Sequence, residues 1–353
     1  MATIDEVIVP RTLEEEGADD FIAAMAVCNA VEAIDYGTTD GEYQPDEELP
    51  HYHDPYEPMR LLVAREDGRV VGRAFVRGNA DDDVSEAWLQ AQVLPEFRGR
   101  GIGRALAEEI ERIAIEDGAR KLLSFMASAD LGGDRLTPPT GSGSIPAEGR
   151  DVRFLAARGY RFEQVERVSR LPLPVAGLDE RLAGAREASG PHYALHSWTG
   201  PVPERWLADF AVLATRMSTD APTAGLEMEE DVWDVDRVLD ANAREEESPR
   251  TRVTTAVEHV RSGTLVGYTA LSVPRQPHRA VDQYATLVLR EHRGHRLGML
   301  LKLANLAHLE ATFPGRPSVM TYNAEENRHM LDVNEHLGFV PIAYEGSWRK
   351  DVT

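Results

Sequence analysis

A glycine-rich turn between a strand-like and a helix-like segment is the part of the sequence best suited to chemistry. Apolar residues alternate up to Val93, and the turn that follows reads Arg98-Gly99-Arg100-Gly101-Ile102-Gly103. Glycine permits positive φ and the close approach of a ligand, and the first turn of a helix offers unpaired N–H groups at the positive end of its dipole. The segment therefore suits an anion such as pyrophosphate, the alternative being a tight turn that binds nothing.

Two other phosphate-binding motifs do not fit this turn. A dinucleotide fingerprint requires a parallel βαβ unit with an acidic residue about twenty positions further on. A nucleotide triphosphate loop requires Gly-Lys-Ser or Gly-Lys-Thr, and neither tripeptide occurs in the sequence.

The turn has a second copy further along the chain, which reads Arg293-Gly294-His295-Arg296-Leu297-Gly298. Arg98 and Arg293 define the offset between the copies. Gly72 and Gly267, each inside a similar apolar segment, are separated by the same offset. Two independent matches at one offset predict a duplicated domain.

The two copies differ in length. Tyr160 and Phe339 are a third pair of landmarks, and their offset is shorter by sixteen, so the first copy contains sixteen extra residues. They fall in the Gly-, Pro- and Ser-rich stretch 131–149, which is expected to be an inserted surface loop or a flap over a pocket. The predicted domains are residues 1–171 and 192–353, here called the first and second halves, with a linker at 172–191.

Hydrophobic periodicity gives the same element order in each half. In the first half it predicts strands at 5–9, 60–65, 69–77, 86–94, 121–127 and 161–171, with helices at 17–35, 101–117 and 150–158. Leu106, Ile110 and Ile113 have the spacing that places one apolar helix face on a sheet. The sequence therefore predicts an α+β fold with a largely antiparallel sheet.

The pattern Val93-x-Pro95-x-x-Arg98-x-x-Gly101-x-Gly103 resembles the acyl-CoA pyrophosphate loop of the GNAT acetyltransferase superfamily. The resemblance extends over 4–171 and 192–352 and implies two tandem GNAT domains, each a mixed, mostly antiparallel twisted sheet flanked by helices. It implies acetyl-CoA as cofactor, with the strand backbone beside the pantetheine arm and the turn around the pyrophosphate. The residues expected to contact it in the first half are Ala91, Gln92, Val93, Arg98, Gly99, Arg100, Gly101, Ile102, Gly103 and Arg104.

The second half departs from the family pattern at Arg296, which stands where glycine is usual. Its backbone N–H groups remain available if φ stays negative there. Asn323-x-x-x-Asn327 resembles a further CoA-contacting segment of the family, and the matching position of the first half is Glu148. The residues expected to contact cofactor in the second half are Val288, Arg293, Gly294, His295, Arg296, Leu297, Gly298, Asn323 and Asn327.

The resemblance gives less guidance on which residues serve as the general acid and the general base. The family's frequent general acid is a tyrosine seven residues after the asparagine, a position held here by Asn334, with Leu155 in the first half. Tyr322 is an alternative acid. The candidate bases are carboxylates on the strand before each loop, Glu86 and Asp282.

Composition limits the partners. Thirty-eight Lys and Arg against sixty Asp and Glu give a net charge of −22, which disfavours nucleic acid and anionic membranes and favours a cationic acceptor. Cys28 is the single cysteine, so no disulfide or thiolate-rich metal cage is possible, and we expect no metal site. No leader or membrane-spanning pattern is present, which indicates a cytoplasmic protein, as a monomer or homodimer.

The resemblance and the charge together predict an N-acetyltransferase that transfers acetyl from acetyl-CoA directly to the amine of a small molecule. One alternative is mycothiol-synthase-like acetylation of a thiol-cofactor precursor. Another is a catalytically inactive CoA-binding sensor or scaffold, suggested by the missing tyrosines and by Arg296.

Overall fold

The computed structural model describes residues 2–80, 85–128, 132–220 and 222–352. The strands of the first half are β1 (Thr3–Glu6), β2 (Met59–Glu66), β3 (Arg69–Arg77), β4 (Glu86–Val93), β5 (Lys121–Ser128), β6 (Arg135–Leu136), β7 (Ile145–Pro146) and β8 (Arg161–Pro172). Its helices are α1 (Ala18–Asp35), α2 (Pro45–Glu48), α3 (Ile102–Glu116) and α4 (Arg150–Ala157). The first strand begins earlier than predicted, and α2, β6 and β7 were not predicted.

The second half repeats this order after one intervening helix, α5 (Leu178–Ser189). Its strands are β9 (Tyr193–Thr199), β10 (Thr251–His259), β11 (Thr264–Val273), β12 (Val281–Val288), β13 (Ser318–Ala324) and β14 (Val340–Asp351). Its helices are α6 (Leu207–Asp220), α7 (Val235–Glu247), α8 (Leu297–Thr312) and α9 (Arg328–Leu337). The predicted α+β fold with a mostly antiparallel sheet is confirmed.

The two halves share one sheet of twelve strands, in the order β1-β2-β3-β4-β5-β14-β8-β13-β12-β11-β10-β9. Each half gives its last strand to the other: β14 pairs with β5 of the first half, and β8 pairs with β13 of the second. The exchanged strands also pair antiparallel with one another at the centre of the sheet. The repeat therefore forms a single continuous sheet.

Helices cover the sheet as the apolar periodicity requires. Leu106, Ile110 and Ile113 of α3 are buried in one core cluster, and Leu300 and Leu301 of α8 are buried in its counterpart in the second half. A third cluster lies beneath α1. In both halves, the helix of the strand–turn–helix unit is thus packed against the sheet.

The segments between the repeated elements are packed onto the sheet. In the inserted stretch, whose first residue lies outside the described residues, β6 pairs with β7 and Ile145 is buried among core residues of the first half. Between the halves, Val175, Leu178 and Ala185 are buried in the second half's core. Within the described residues, no helix is both long enough and apolar enough to cross a bilayer.

Candidate functional site

A cleft opens in each half where two parallel strands stop pairing. The β4–β5 ladder ends at the pair Trp88–Leu123, although both strands continue. The β12–β13 ladder ends at Asp282–Met320. Beyond these pairs, β4 or β12 no longer forms ladder hydrogen bonds with its parallel partner, while its other edge stays paired. We call these openings the first and second clefts.

The glycine turn at the head of the first cleft forms an open cradle. Gly99 and Gly101 have φ of 75° and 86°, and Gly101 is the N-cap of α3. A Cβ built on either glycine would meet no atom within 4 Å, so the space beside the turn is free within the described structure. Ile102, Gly103 and Arg104 form the first helical turn and direct N–H groups out of the helix end.

Arg98 adds a cationic group to this cradle. Its Nε donates to the carbonyl oxygen of Val93 at 2.7 Å, which ties the turn to the end of β4. One of its terminal nitrogens, Nη2, is buried and has no hydrogen-bond partner among the described residues. Arg100 instead points to Glu66, at 2.9 Å. The turn therefore fits a pyrophosphate, because it offers helix-end N–H groups and a guanidinium nitrogen in need of an acceptor.

The second turn has the same backbone path with a different side chain. Arg293 Nε donates to the Val288 carbonyl oxygen at 3.1 Å, and its Nη2 pairs with Asp220 at 2.7 Å. Gly294 has φ of 86°, and Arg296, the N-cap of α8, has φ of 56°. The condition that φ stays negative at Arg296 is therefore not met, and this residue occupies the left-handed region that costs an ordinary residue about 1–2 kcal/mol.

The asparagines of the second half bond within the protein. Asn327 caps α9, since its side-chain oxygen accepts from the Met330 N–H at 3.3 Å. Asn323 Oδ1 accepts from Asn334 Nδ2 at 2.7 Å. A cofactor at this position has to compete with both interactions.

The three predicted catalytic residues lie apart. Glu86 precedes the first cleft, pairs with Lys121 at 3.4 Å, and lines a cavity of about 360 Å³ between the halves. Asp282 pairs with Arg250 at 2.5 Å, and burial raises its pKa. Tyr322 lies on β13, where burial, followed by the charge of Glu345, raises its phenol pKa.

A carboxylate that was not predicted faces the first cleft from the α1 side of the sheet. Glu32 lines two cavities, of about 260 and 240 Å³, and burial raises its pKa. Its Oε1 accepts from Gln92 Nε2 of β4 at 3.4 Å and from Cys28 Sγ at 3.3 Å. Gln90 and Phe125, which follow the point where the strands separate, line one of the same cavities. Glu32 is thus held against the strand that borders the first cleft.

A second unpredicted carboxylate comes from the exchanged strand. Glu345 of β14 is 5% exposed, pairs in register with Ala127 of β5, and accepts a hydrogen bond from the Tyr36 hydroxyl. On its other side it lies opposite Glu166 of β8. Burial and then the neighbouring Glu166 raise the pKa of Glu345 to about 8, and burial raises that of Glu166 to about 6.

A sequence signal for these residues existed. Cys28 and Glu32 of α1 and Tyr36 at its C-cap recur every four residues, so they share one face of the helix. Glu166 and Glu345 have the same offset as Tyr160 and Phe339, the third pair of landmarks. His51, from the region before β2, lines the 240 Å³ cavity, whereas His53 bonds to the Pro10 carbonyl oxygen at 2.8 Å.

A glycine turn capping a helix beside two separating parallel strands, present twice, defines a tandem GNAT fold. The sequence profile of the acetyltransferase (GNAT) family matches residues 29–131. Mycothiol acetyltransferase of Thermobispora bispora is 28% identical over 310 residues, covering 84% of this chain and 90% of that protein. The chain therefore has two tandem GNAT folds, with a match to the acetyltransferase (GNAT) family in its first half, and it is by class an acyltransferase.

Solved structures show the same fold along the whole chain. A tandem GNAT protein from the clavulanic acid biosynthesis pathway superposes with a TM-score of 0.73 and 24% identity, covering 99% of this chain and 98% of that one. A GCN5-related N-acetyltransferase from Sphaerobacter thermophilus superposes with a TM-score of 0.63 and 14% identity, covering 99% and 95%.

Proposed function

We propose that this protein is an acetyl-CoA-dependent N-acetyltransferase that transfers the acetyl group directly to the amine of a small cationic molecule in its first half. The observation that carries the proposal is the position of Glu32, whose carboxylate reaches β4 from the side opposite α3 and lines two cavities. A cofactor groove and an acceptor cavity then meet at one strand.

The first turn holds what acetyl-CoA requires. The helix-end N–H groups of 99–104 and the unpaired Arg98 nitrogen would bind the pyrophosphate, and the edge of β4 around Ala91–Val93 would lie beside the pantetheine arm. When bound, acetyl-CoA supplies an activated thioester. The chain's own residues hold the acceptor and manage its proton.

Acyl transfer needs a neutral amine, so a base must take a proton from the ammonium form. Glu32 suits this role, because burial raises its pKa and so makes the carboxylate a stronger base, and the cavities admit an acceptor. Glu345 lies on the same face of the sheet beside Tyr36, where its pKa of about 8 keeps it protonated at neutral pH. The ionised Glu32 carboxylate favours a cationic acceptor over a neutral one.

A second candidate is acetylation of a thiol-cofactor precursor. It is favoured by the similarity to mycothiol acetyltransferase, which spans most of both chains. The two candidates share the chemistry at the amine and differ in the acceptor, so a panel that includes both simple amines and amine-bearing thiol precursors separates them.

The experiment follows thiol release from acetyl-CoA with that panel, in parallel with calorimetric titration of acetyl-CoA. Gly101→Trp, which fills the first cradle, should abolish binding and turnover. Arg296→Trp, at the matching position of the second turn, is the control and should retain both. Binding without turnover on every acceptor would favour the sensor, and retained binding in Gly101→Trp would refute the placement in the first half.

The base is tested separately. Glu32→Gln should lower kcat about a hundredfold, within the usual contribution of a general base, and remove the acidic limb of the pH profile. A larger loss in Glu86→Gln would place the base in the cavity between the halves instead.

A further inference from the structure

Lys302 of α8 is a buried cation without an opposite charge. Its side chain is 2% exposed, and its Nζ donates to Gln283 Oε1 at 3.0 Å and lies 5.5 Å from the centre of the Phe339 ring. No carboxylate of the described residues is within salt-bridge distance of it. Burial lowers its pKa to about 7. A lone ammonium is costly to bury, so its position calls for an explanation in its surroundings.

The surroundings of Lys302 are the second cleft. Gln283 directly follows Asp282, the last residue of β12 that pairs with β13. In the first half the corresponding residue is Leu89, directly after Trp88, and Leu89 lines the space between β4 and β5. Gln283, the hydrogen-bond partner of Lys302, therefore stands at the mouth of the second cleft.

The other neighbours of Lys302 correspond to first-half residues by sequence offset. Lys302 corresponds to Ala107 by the offset that separates the two glycine turns. Phe339 and Tyr160 are themselves the third pair of landmarks. Ala107 and Tyr160 both line the space beneath the first cleft. The first half thus has a methyl group where the second half has a long, hydrogen-bonded side chain.

We infer that the Lys302 side chain closes the second cleft to the pantetheine arm, so that the chain binds one acyl-CoA, in the first half. The side chain crosses from α8 to Gln283, the first residue of β12 beyond its ladder with β13, which is the place where the arm would have to enter. The bond between Asn323 and Asn334 adds a second polar link between β13 and α9 on the same half. The assignment of the single ligand to the first half rests on the proposed function, whereas the closure itself does not.

The test is the number of CoA molecules bound by the full chain, measured by calorimetric titration with CoA. Lys302→Ala copies the residue of the first half and should raise the stoichiometry from one to two. Lys302→Met removes the charge but retains the length of the side chain, so it should leave the stoichiometry at one. Ala107→Lys places the same blocking side chain in the first cleft and should reduce the CoA stoichiometry to zero. Near-ultraviolet circular dichroism verifies that each variant is folded.

The outcomes distinguish closure of the second cleft from placement of the cofactor in the first half. Two CoA molecules on the unchanged protein, or no increase in a folded Lys302→Ala variant, would overturn the closure. Two molecules on Lys302→Met would also overturn it, because the closure depends on the length of the side chain. No binding to the unchanged protein with one molecule on Lys302→Ala would support the closure and refute the proposed site in the first half.

Discussion

Replacing Glu345 by glutamine should change how the stability of the protein depends on pH. Glu345 is buried on the exchanged strand β14, opposite Glu166 and bonded to the Tyr36 hydroxyl. Its pKa is raised from 4.5 to about 8, because the charged form is penalised by burial and by the neighbouring carboxylate. Glutamine retains the shape and an acceptor for the hydroxyl but cannot ionise.

The direction of the change in stability follows from the linkage between folding and proton binding. With a higher pKa in the folded state, the carboxyl stabilises the fold fully below pH 4.5 and loses that contribution as pH rises through about 8. Between pH 6 and pH 8 the unfolded chain has released the proton and the folded chain holds it. One pKa unit corresponds to about 1.4 kcal/mol, so the free energy of unfolding should fall by about 2 kcal/mol over this interval from Glu345 alone.

The assay is urea unfolding at pH 6, 7 and 8, with the midpoint converted to free energy through the slope. Glu345→Gln should flatten the dependence by about 2 kcal/mol relative to the unchanged protein. Glu111→Gln is the control, because Glu111 is buried in ion pairs with Arg158 and Lys350 and its pKa is lowered, so its contribution varies only at acidic pH. Parallel curves for the unchanged protein and Glu345→Gln between pH 6 and 8 would show that Glu345 is ionised throughout and refute the reasoning.

Three further changes follow from the packing. Arg296→Gly removes the strain of a side chain in the left-handed region but increases the conformational entropy of the unfolded chain. The net free energy of unfolding, measured in urea, should rise by about 0.5–1 kcal/mol. A decrease would mean that the arginine makes a stabilising contact. Glu47→Gln leaves Arg250 and Arg279, bonded to it at 3.0 and 2.6 Å, without their shared buried partner and should cost about 3 kcal/mol by thermal unfolding. The same change at exposed Glu96 should cost under about 0.5 kcal/mol, and equal effects would contradict this account. Deleting residues 340–353 removes β14 and should abolish cooperative unfolding of the first half by calorimetry, whereas a retained transition would show that β5 needs no partner.

Local features were predictable from the sequence. The helix face of Leu106, Ile110 and Ile113 depends on a period within one segment, and all three are buried as expected. The glycine turn at 98–103 was placed correctly because positive φ at a helix N-cap is a property of a few adjacent residues. The positive φ at Arg296 was left open by the sequence, since the shape of the repeated turn is imposed by its flanking strand and helix.

The exchange of strands could not be predicted. Strands β8 and β14 have similar patterns and each pairs antiparallel with the neighbour it meets, so the sequence contains no local preference for one half or the other. Glu345 reaches the first half only through this exchange, and its contact with Tyr36 joins residues 309 positions apart. Glu32 was missed for a simpler reason, because a carboxylate on a helix is usually solvated and only the cavities show that this one is not.

The exchanged strands also fix when the protein can fold during its synthesis. The ribosome produces β5 at Lys121–Ser128, whereas its partner β14 at Val340–Asp351 follows only at the end of the second half. Until β14 leaves the exit tunnel, the first half has an open strand edge able to pair with a neighbouring chain. Folding of the half that carries the proposed active site therefore has to wait until the second half has been synthesised, and a nascent chain stalled in the second half is expected to need chaperone protection.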